Sequence, residues 1–238
     1  MYQPRTYRHR VKSQDLVSFG VTVKETDLYI SALRNLRSKA FKLVTKYRSM
    51  LEKYIEHNPL FLTSREPLPD DDTAPRIVRE MLAAARKTRV GPMAAVAGAI
   101  AEFVGAELVA LSPEVIIENG GDIFLQSQKE RTVGILAGDS PLTGKIGVRI
   151  DGKDTPLGVC TSSGTVGYSL SYGRADAVVT LSRSTTLADA VATATGNLIQ
   201  KADDIPKGIE FARGIEGVRG VLIIKDEKVG IWGEVKIC

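Results

Sequence analysis

Two cysteines, two histidines and one tryptophan in 238 residues leave little material for metal or redox chemistry. Cys160 and Cys238 are too few for a disulfide framework. Together with His9 and His57 they show no ligand spacing, so a structural zinc site is excluded. Histidine-dependent triads fail on the same scarcity. His9 lies in the N-terminal tail and His57 precedes Asn58-Pro59 at a helix end, neither in a context that activates a Ser or Cys. No apolar stretch follows the basic start MYQPRTYRHRVK, so no secretory signal is read and the cytoplasm is the expected compartment. The body also lacks charge of one sign. Arg5, Arg8, Arg10 and Lys12 account for the whole net charge of +4. A neutral body argues against nucleic acid as partner. Residues 1–12 are read as a basic arm, either solvated or, with Tyr2 and Tyr7, a phosphate clamp.

What is present is an ordinary globular composition, 43% hydrophobic and 25% charged. The length admits one large domain or two fused halves, and the rest of the chain, 13–238, is read as one domain with two halves as an option. LVSFGVTV and DLYISA are β-rich runs separated by Lys24, Glu25 and Thr26, an early hairpin. From Ala32 apolar residues recur at three- and four-residue steps through Tyr54, which predicts one amphipathic helix over 32–57. Its other face carries seven basic residues, from Arg34 to Lys53, against Glu52 and Glu56. A solvated face and an RNA-binding stripe are the alternatives there. SREPLPDDDTAP reads as a surface loop before a helix at 74–88. PMAAVAGAIAEFVGAELVAL is long enough to raise a membrane span. Its Ala and Gly content and two glutamates point instead to a buried, closely packed helix.

From Glu114 the chain is mostly strands: EVIIENGGDIFLQ, RTVGILAG, KIGVRID, LGVCTSS and ADAVVTLS. A helix at 187–200, a short one at 207–213 and a closing hairpin around Asp226 to Lys228 follow. Paired hairpins with grouped helices predict an α+β fold with antiparallel sheets. GDSPLTGKI resembles a P-loop, but it has five residues between Gly138 and Gly144 and Ile146 in place of Ser or Thr. With a strand following, it is an ordinary turn.

Three segments could carry chemistry. Asn119, Gly120, Gly121 and Asp122 interrupt an apolar strand, either as a plain turn or as a close approach to a ligand. Thr161, Ser162, Ser163 and Gly164 end a strand with hydroxyls and amides suited to an anion, or simply form a turn. In STTLADAVATATGN, Asp189 and Thr193 stand four apart on one helix face, both oxygen ligands that suit magnesium. The local alternative makes Thr186 an N-cap and Asp189 its capping-box partner.

In this order the three segments, NGGD, TSSG and ADAVAT, resemble the ApbE-like family of FAD:protein FMN transferases over roughly residues 91–238, closest to an uncharacterised branch. The resemblance implies a tandem of T-fold-like halves, with antiparallel sheets and packed helices. It further implies a pocket for FAD or a related nucleotide lined by Asn119 to Asp122 and Thr161 to Gly164, and magnesium held by Asp189, Thr193 and a backbone carbonyl. An acceptor flavoprotein is the implied partner, and a homo-oligomer is left open. The family's histidine segment after the T-S-G turn has no counterpart between Thr165 and Ser182. Its Lys-Gly becomes Ala97-Gly98, and no Met-Gly-Thr-like start is seen. The resemblance therefore implies either flavin transfer or FAD pyrophosphate cleavage, or a non-catalytic flavin-binding protein. An RNA-binding module is the third reading.

Overall fold

The computed structural model describes residues 15–165 and 171–238; the basic arm 1–12 lies outside the described residues. The fold is α+β. One antiparallel sheet of eight strands runs β1 (Val17–Val23), β2 (Thr26–Ala32), β3 (Val115–Asn119), β4 (Asp122–Gln126), β7 (Leu157–Ser162), β8 (Ala177–Ser182), β9 (Val218–Lys225) and β10 (Lys228–Gly233). Between β4 and β7 the chain leaves this sheet to make β5 (Arg131–Gly134) and β6 (Gly147–Ile150). With β11 (Lys236–Ile237) these form a second sheet, in the order β11-β6-β5.

Strand periodicity sends alternate residues to opposite faces, and here both faces are buried. Val115, Ile117 and Phe124 point to the helical side, together with Val178, Val221 and Ile223. Their neighbours Ile116, Ile123, Leu125, Val179, Leu222 and Ile224 meet Val133, Val148 and Ile150 of the small sheet in a separate core. The long apolar runs of the second half follow from that double burial.

The helices cross the sheet in strand order. α1 (Arg37–His57) packs on β1, α4 (Val96–Val109) on β3 and β4, α5 (Thr185–Asn197) on β7 and β8, and α6 (Ile205–Arg213) on β9 and β10. α2 (Leu60–Thr63) and α3 (Arg76–Thr88) lie outside them, α3 against α4 and α5. The Ala/Gly-rich stretch divides into a 3-10 turn, Pro92–Ala95, and α4. Pro92–Val109 is long and apolar enough by composition to cross a membrane. Here it is packed between sheet and helices: a Cβ at Gly105 would stand 2.2 Å from the Phe124 ring, and one at Gly98 would stand 2.5 Å from the Thr185 carbonyl. Small residues let α4 sit this close.

The first helix starts at Arg37, not at Ala32. Ala32 is the last residue of β2, paired with Val17 on one side and Val115 on the other. The Asn35 side chain then accepts from the Arg37 N–H at the helix start. Sheet pairing outweighs a helical period that continues through the turn. The basic face of α1 is partly neutralised: Lys46 pairs with Glu107, and Arg48 with Glu25 and Glu52. Residues 138–145 form turns between β5 and β6, closed by Thr143, whose hydroxyl donates to the Gly138 carbonyl and accepts from the Ala137 N–H.

Candidate functional site

The β3–β4 hairpin closes through Gly120 and Gly121, at φ 70° and 111°, with Asn119 and Asp122 in register across it. A two-residue turn of this kind needs positive φ at both positions, which is why two glycines stand there. The Asn119 side chain ties the turn to the helical layer by donating to the Ala97 carbonyl at 3.0 Å, and within the hairpin the Gly121 N–H donates to the Glu118 side chain at 3.0 Å. On the other side Asp122 pairs with Cys160 of β7. The tip approaches Thr161, whose carbonyl would lie 3.6 Å from a Cβ at Gly121. The Asn119–Asp122 and Thr161–Gly164 segments are thus neighbours.

α5 supplies the third segment. Its N-cap is Ser184, whose hydroxyl accepts from the Leu187 N–H at 3.2 Å. Thr186 is not the cap. Its hydroxyl and N–H both donate to Glu102 of α4, at 2.8 Å each. Asp189 therefore has no capping-box partner on its own helix. Its Oδ2 accepts from the Gly98 N–H at 2.8 Å, in the first turn of α4 where N–H groups have no partner within the helix. The absence of a Cβ at Gly98, which would meet that of Asp189 at 2.7 Å, permits this contact.

Asp122, Asp189 and Thr193 line one cleft of about 490 Å³. Its walls come from residues 62–65, from 90–97, and from Tyr172 and Asn197. Asp122 and Asp189 are both buried. Burial, the charge of Asp189 and that of Glu118 push the Asp122 carboxyl well above its ordinary range, against contacts from Cys160 and the Thr161 N–H. Burial also raises Asp189, against the Gly98 and Ala97 N–H groups. Asp122 Oδ1 is buried without a hydrogen-bond partner. Cys160 is fully buried behind the carboxylates and donates to the Thr185 carbonyl at 3.4 Å. Burial and the two negative charges push its thiol up, so it stays protonated and makes a poor nucleophile or ligand.

A buried carboxylate oxygen with no protein partner is costly unless a proton, a water or a cation completes it. The donors facing the cleft are Asp122, Asp189 and the Thr193 hydroxyl, all hard oxygens. That set fits a partial shell for magnesium, whose remaining positions go to water or phosphate. Among the described residues no group of three His, Cys, Asp or Glu side chains forms a complete metal site. Asn119, Gly120, Gly121 and Thr161 to Gly164 are not among the described cleft lining. Asn119 is committed to Ala97, and Gly164 is held by its N–H to the Ala175 carbonyl at 2.9 Å. At Gly164 a Cβ would lie 2.1 Å from the Gly173 carbonyl, and at Gly173 1.8 Å from that of Gly196, so three backbone segments stack at glycines.

The sequence reading missed Arg65, Tyr172 and Asn197. The Tyr172 N–H donates to Asn197 Oδ1 at 2.9 Å, and its carbonyl accepts from Gln200 at 2.8 Å. Arg65 is 107 residues from Tyr172 in the chain, yet it reaches the tyrosine hydroxyl at 3.0 Å. No local pattern announces such a contact.

Known proteins resemble this chain in a family model, in whole-length sequence and in fold. A family model described as AbpE bacteria matches residues 8–209. A UPF0280 protein of Methanocaldococcus jannaschii is 42% identical over 221 residues, 90% of each chain. One from Methanococcus aeolicus is 41% identical, covering 94% of this chain and 90% of its own. Among solved structures, the apo flavinyl transferase ApbE of Pseudomonas stutzeri superposes with a TM-score of 0.61 at 15% identity, over 92% of this chain and 94% of that one. The flavin transferase ApbE of Vibrio cholerae gives 0.53 at 14% identity, over 92% and 96%. At such identities the likeness is one of fold. The chain belongs to the AbpE bacteria family.

Proposed function

We propose that this family member binds FAD or a related flavin nucleotide in the cleft, with magnesium held by Asp189 and Thr193 and with Asp122 supplying a further oxygen. The observation that carries the reading is the partnerless buried oxygen of Asp122 beside a second buried carboxylate at the floor of an open cleft. A magnesium ion there would neutralise phosphate oxygens and charge developing on a leaving group. The chain's own part is positional. The Gly98 N–H orients Asp189, and Asn119 ties the glycine hairpin to Ala97. Cys160 fills the space behind the carboxylates with an uncharged group.

The test is calorimetric titration of FAD with magnesium and again with chelator, beside the visible absorbance of freshly purified protein. Tighter binding with magnesium supports the reading. Equal affinities refute the metal site, and no binding in either condition refutes the nucleotide site.

Flavin transfer and binding without transfer share this site. The second is favoured by the absence of an imidazole from the described cleft lining; His57 is exposed at the end of α1. Release of AMP from FAD in the presence of magnesium would identify pyrophosphate cleavage or transfer. Bound, intact FAD would identify a flavin-binding protein.

A further inference from the structure

Arg65 is the only cation among the described lining residues of the cleft. The buried or half-buried arginines Arg48, Arg131 and Arg219 are neutralised by carboxylates: Arg48 by Glu25 and Glu52, Arg131 by Asp15 and Glu114, Arg219 by Glu234. Arg65 forms no ion pair with any described residue. Its Nη1 donates to Tyr172 Oη at 3.0 Å, and its guanidinium carbon stands 5.9 Å from the centre of the same ring. A tyrosine orders a guanidinium without cancelling its charge, and four of the five N–H donors remain for another partner.

Both partners are built in from behind. Tyr172 is fixed through Asn197 and Gln200 at the end of α5. The Ser64–Arg65 backbone lies against Gly91, where a Cβ would fall 1.9 Å from the Ser64 carbonyl and 3.1 Å from the Arg65 Cα. The cleft is therefore polarised, with two carboxylates at its floor and one oriented, uncompensated guanidinium at its rim. A planar fork of this kind suits phosphate oxygens.

We infer that Arg65, held by Tyr172, takes a phosphate of the bound nucleotide, so that the site selects phosphorylated over unphosphorylated flavins. The inference rests on the nucleotide reading above and adds a residue and a selectivity to it.

The experiment measures binding of FAD, FMN and riboflavin to wild type, Arg65→Ala, Arg65→Lys and Tyr172→Phe, with magnesium, at low and high salt. Arg65→Ala is expected to weaken FAD and FMN by about tenfold or more, the scale of a lost charge-assisted contact. It should leave riboflavin unchanged and reduce the salt dependence of FAD binding. Arg65→Lys, which keeps the charge but not the fork, should recover part of the loss. Tyr172→Phe, which keeps the ring but not the hydroxyl, should lose less than Arg65→Ala. FAD bound equally well, and with equal salt dependence, by wild type and Arg65→Ala overturns the inference and leaves the nucleotide reading standing. Equal losses for FAD and riboflavin also overturn it, since they mark a general effect on cleft shape. Wild-type protein that takes none of the probes overturns both.

Discussion

Two places in this protein bury carboxylates, and they solve the problem in opposite ways. At the start of β3 and the loop after β4, Glu114 meets Arg131 Nη2 at 2.7 Å, the Ser127 hydroxyl at 2.6 Å and the Gln128 N–H at 2.6 Å. Arg131 is completed by Asp15, at 2.6 and 3.1 Å, and by Ser127. Charge and hydrogen bonds close on themselves. At the other end of the same hairpin, Asp122 and Asp189 are also buried, yet they set one acid beside another and one oxygen has no partner among the described residues. A self-sufficient network holds a fold together; an incomplete one leaves room for a proton, a water or a ligand.

The sharpest way to break the comparison is to remove one member of each group. Glu114→Ala leaves the buried Arg131 with Asp15 as its one carboxylate among the described residues and takes the acceptor from Ser127 and the Gln128 N–H, and should cost about 3 kcal/mol in denaturant unfolding. Acid provides the same test without mutation. Burial alone would raise Glu114, but the bonds from Ser127, Arg131 and Gln128 outweigh it and hold its carboxyl below the ordinary range. Hydrogen bonds from Arg131 and Lys129 lower Asp15 as well. For depressed carboxylates the stabilisation is present above the unfolded value of about 4 and is lost as pH falls through the folded value. Unfolding midpoints should therefore rise between neutral pH and about 5, as the raised Asp122 and Asp189 carboxyls take up protons, and drop below about 4 as the Glu114 network is protonated, with a shallower drop in Glu114→Gln.

Gly98→Ala is expected to act on the other group through packing. The added methyl meets the Thr185 carbonyl at 2.5 Å and the Asp189 Cβ at 2.7 Å, so α4 must back away from α5. Overpacking of this kind costs about 1–3 kcal/mol and should also weaken magnesium-dependent FAD binding, because the N–H that orients Asp189 moves with the helix. Stability by thermal melt and affinity by calorimetry should fall together.

The smallest expected stability effect has the opposite sign to that of Glu114. Asp122→Asn removes a like charge and supplies a donor, so metal-free protein should keep its stability or gain about 1 kcal/mol. Asp189→Asn keeps an oxygen for the Gly98 N–H and should lose at most about 1 kcal/mol. Both should abolish the magnesium response, and Thr193→Val should weaken it. A loss of several kcal/mol in Asp122→Asn would place that carboxylate with Glu114, among groups retained for folding. An unaltered magnesium response in Asp189→Asn and Thr193→Val would remove the metal assignment.

Much of the fold was legible because its elements announce themselves locally. The glycine pair that interrupts an apolar run offered a turn where β3 meets β4, and the four-residue step between Asp189 and Thr193 placed both on one face of α5. What failed were choices between two local patterns, settled only by a distant partner. Ala32 continues a helical period, but its neighbours in space are Val17 and Val115. Thr186 and Asp189 have capping-box spacing, but Glu102 claims one and Gly98 the other. Arg65 and Tyr172 lay beyond reach for a different reason: each is an unremarkable surface residue until the chain brings them together.

The stacked glycines at 164, 173 and 196 divide the molecule by how freely it can change. Gly164 is bonded to Ala175 and the Arg174 N–H to the Ile199 carbonyl, main chain to main chain, while Tyr172 is held by the Asn197 and Gln200 side chains. A lineage is therefore bound to glycine at 164 and 173, and to the amides that hold Tyr172, more tightly than to the exposed side chains around them. Gly173→Ala, which would press a methyl onto the Gly196 carbonyl, is the direct measure of that constraint.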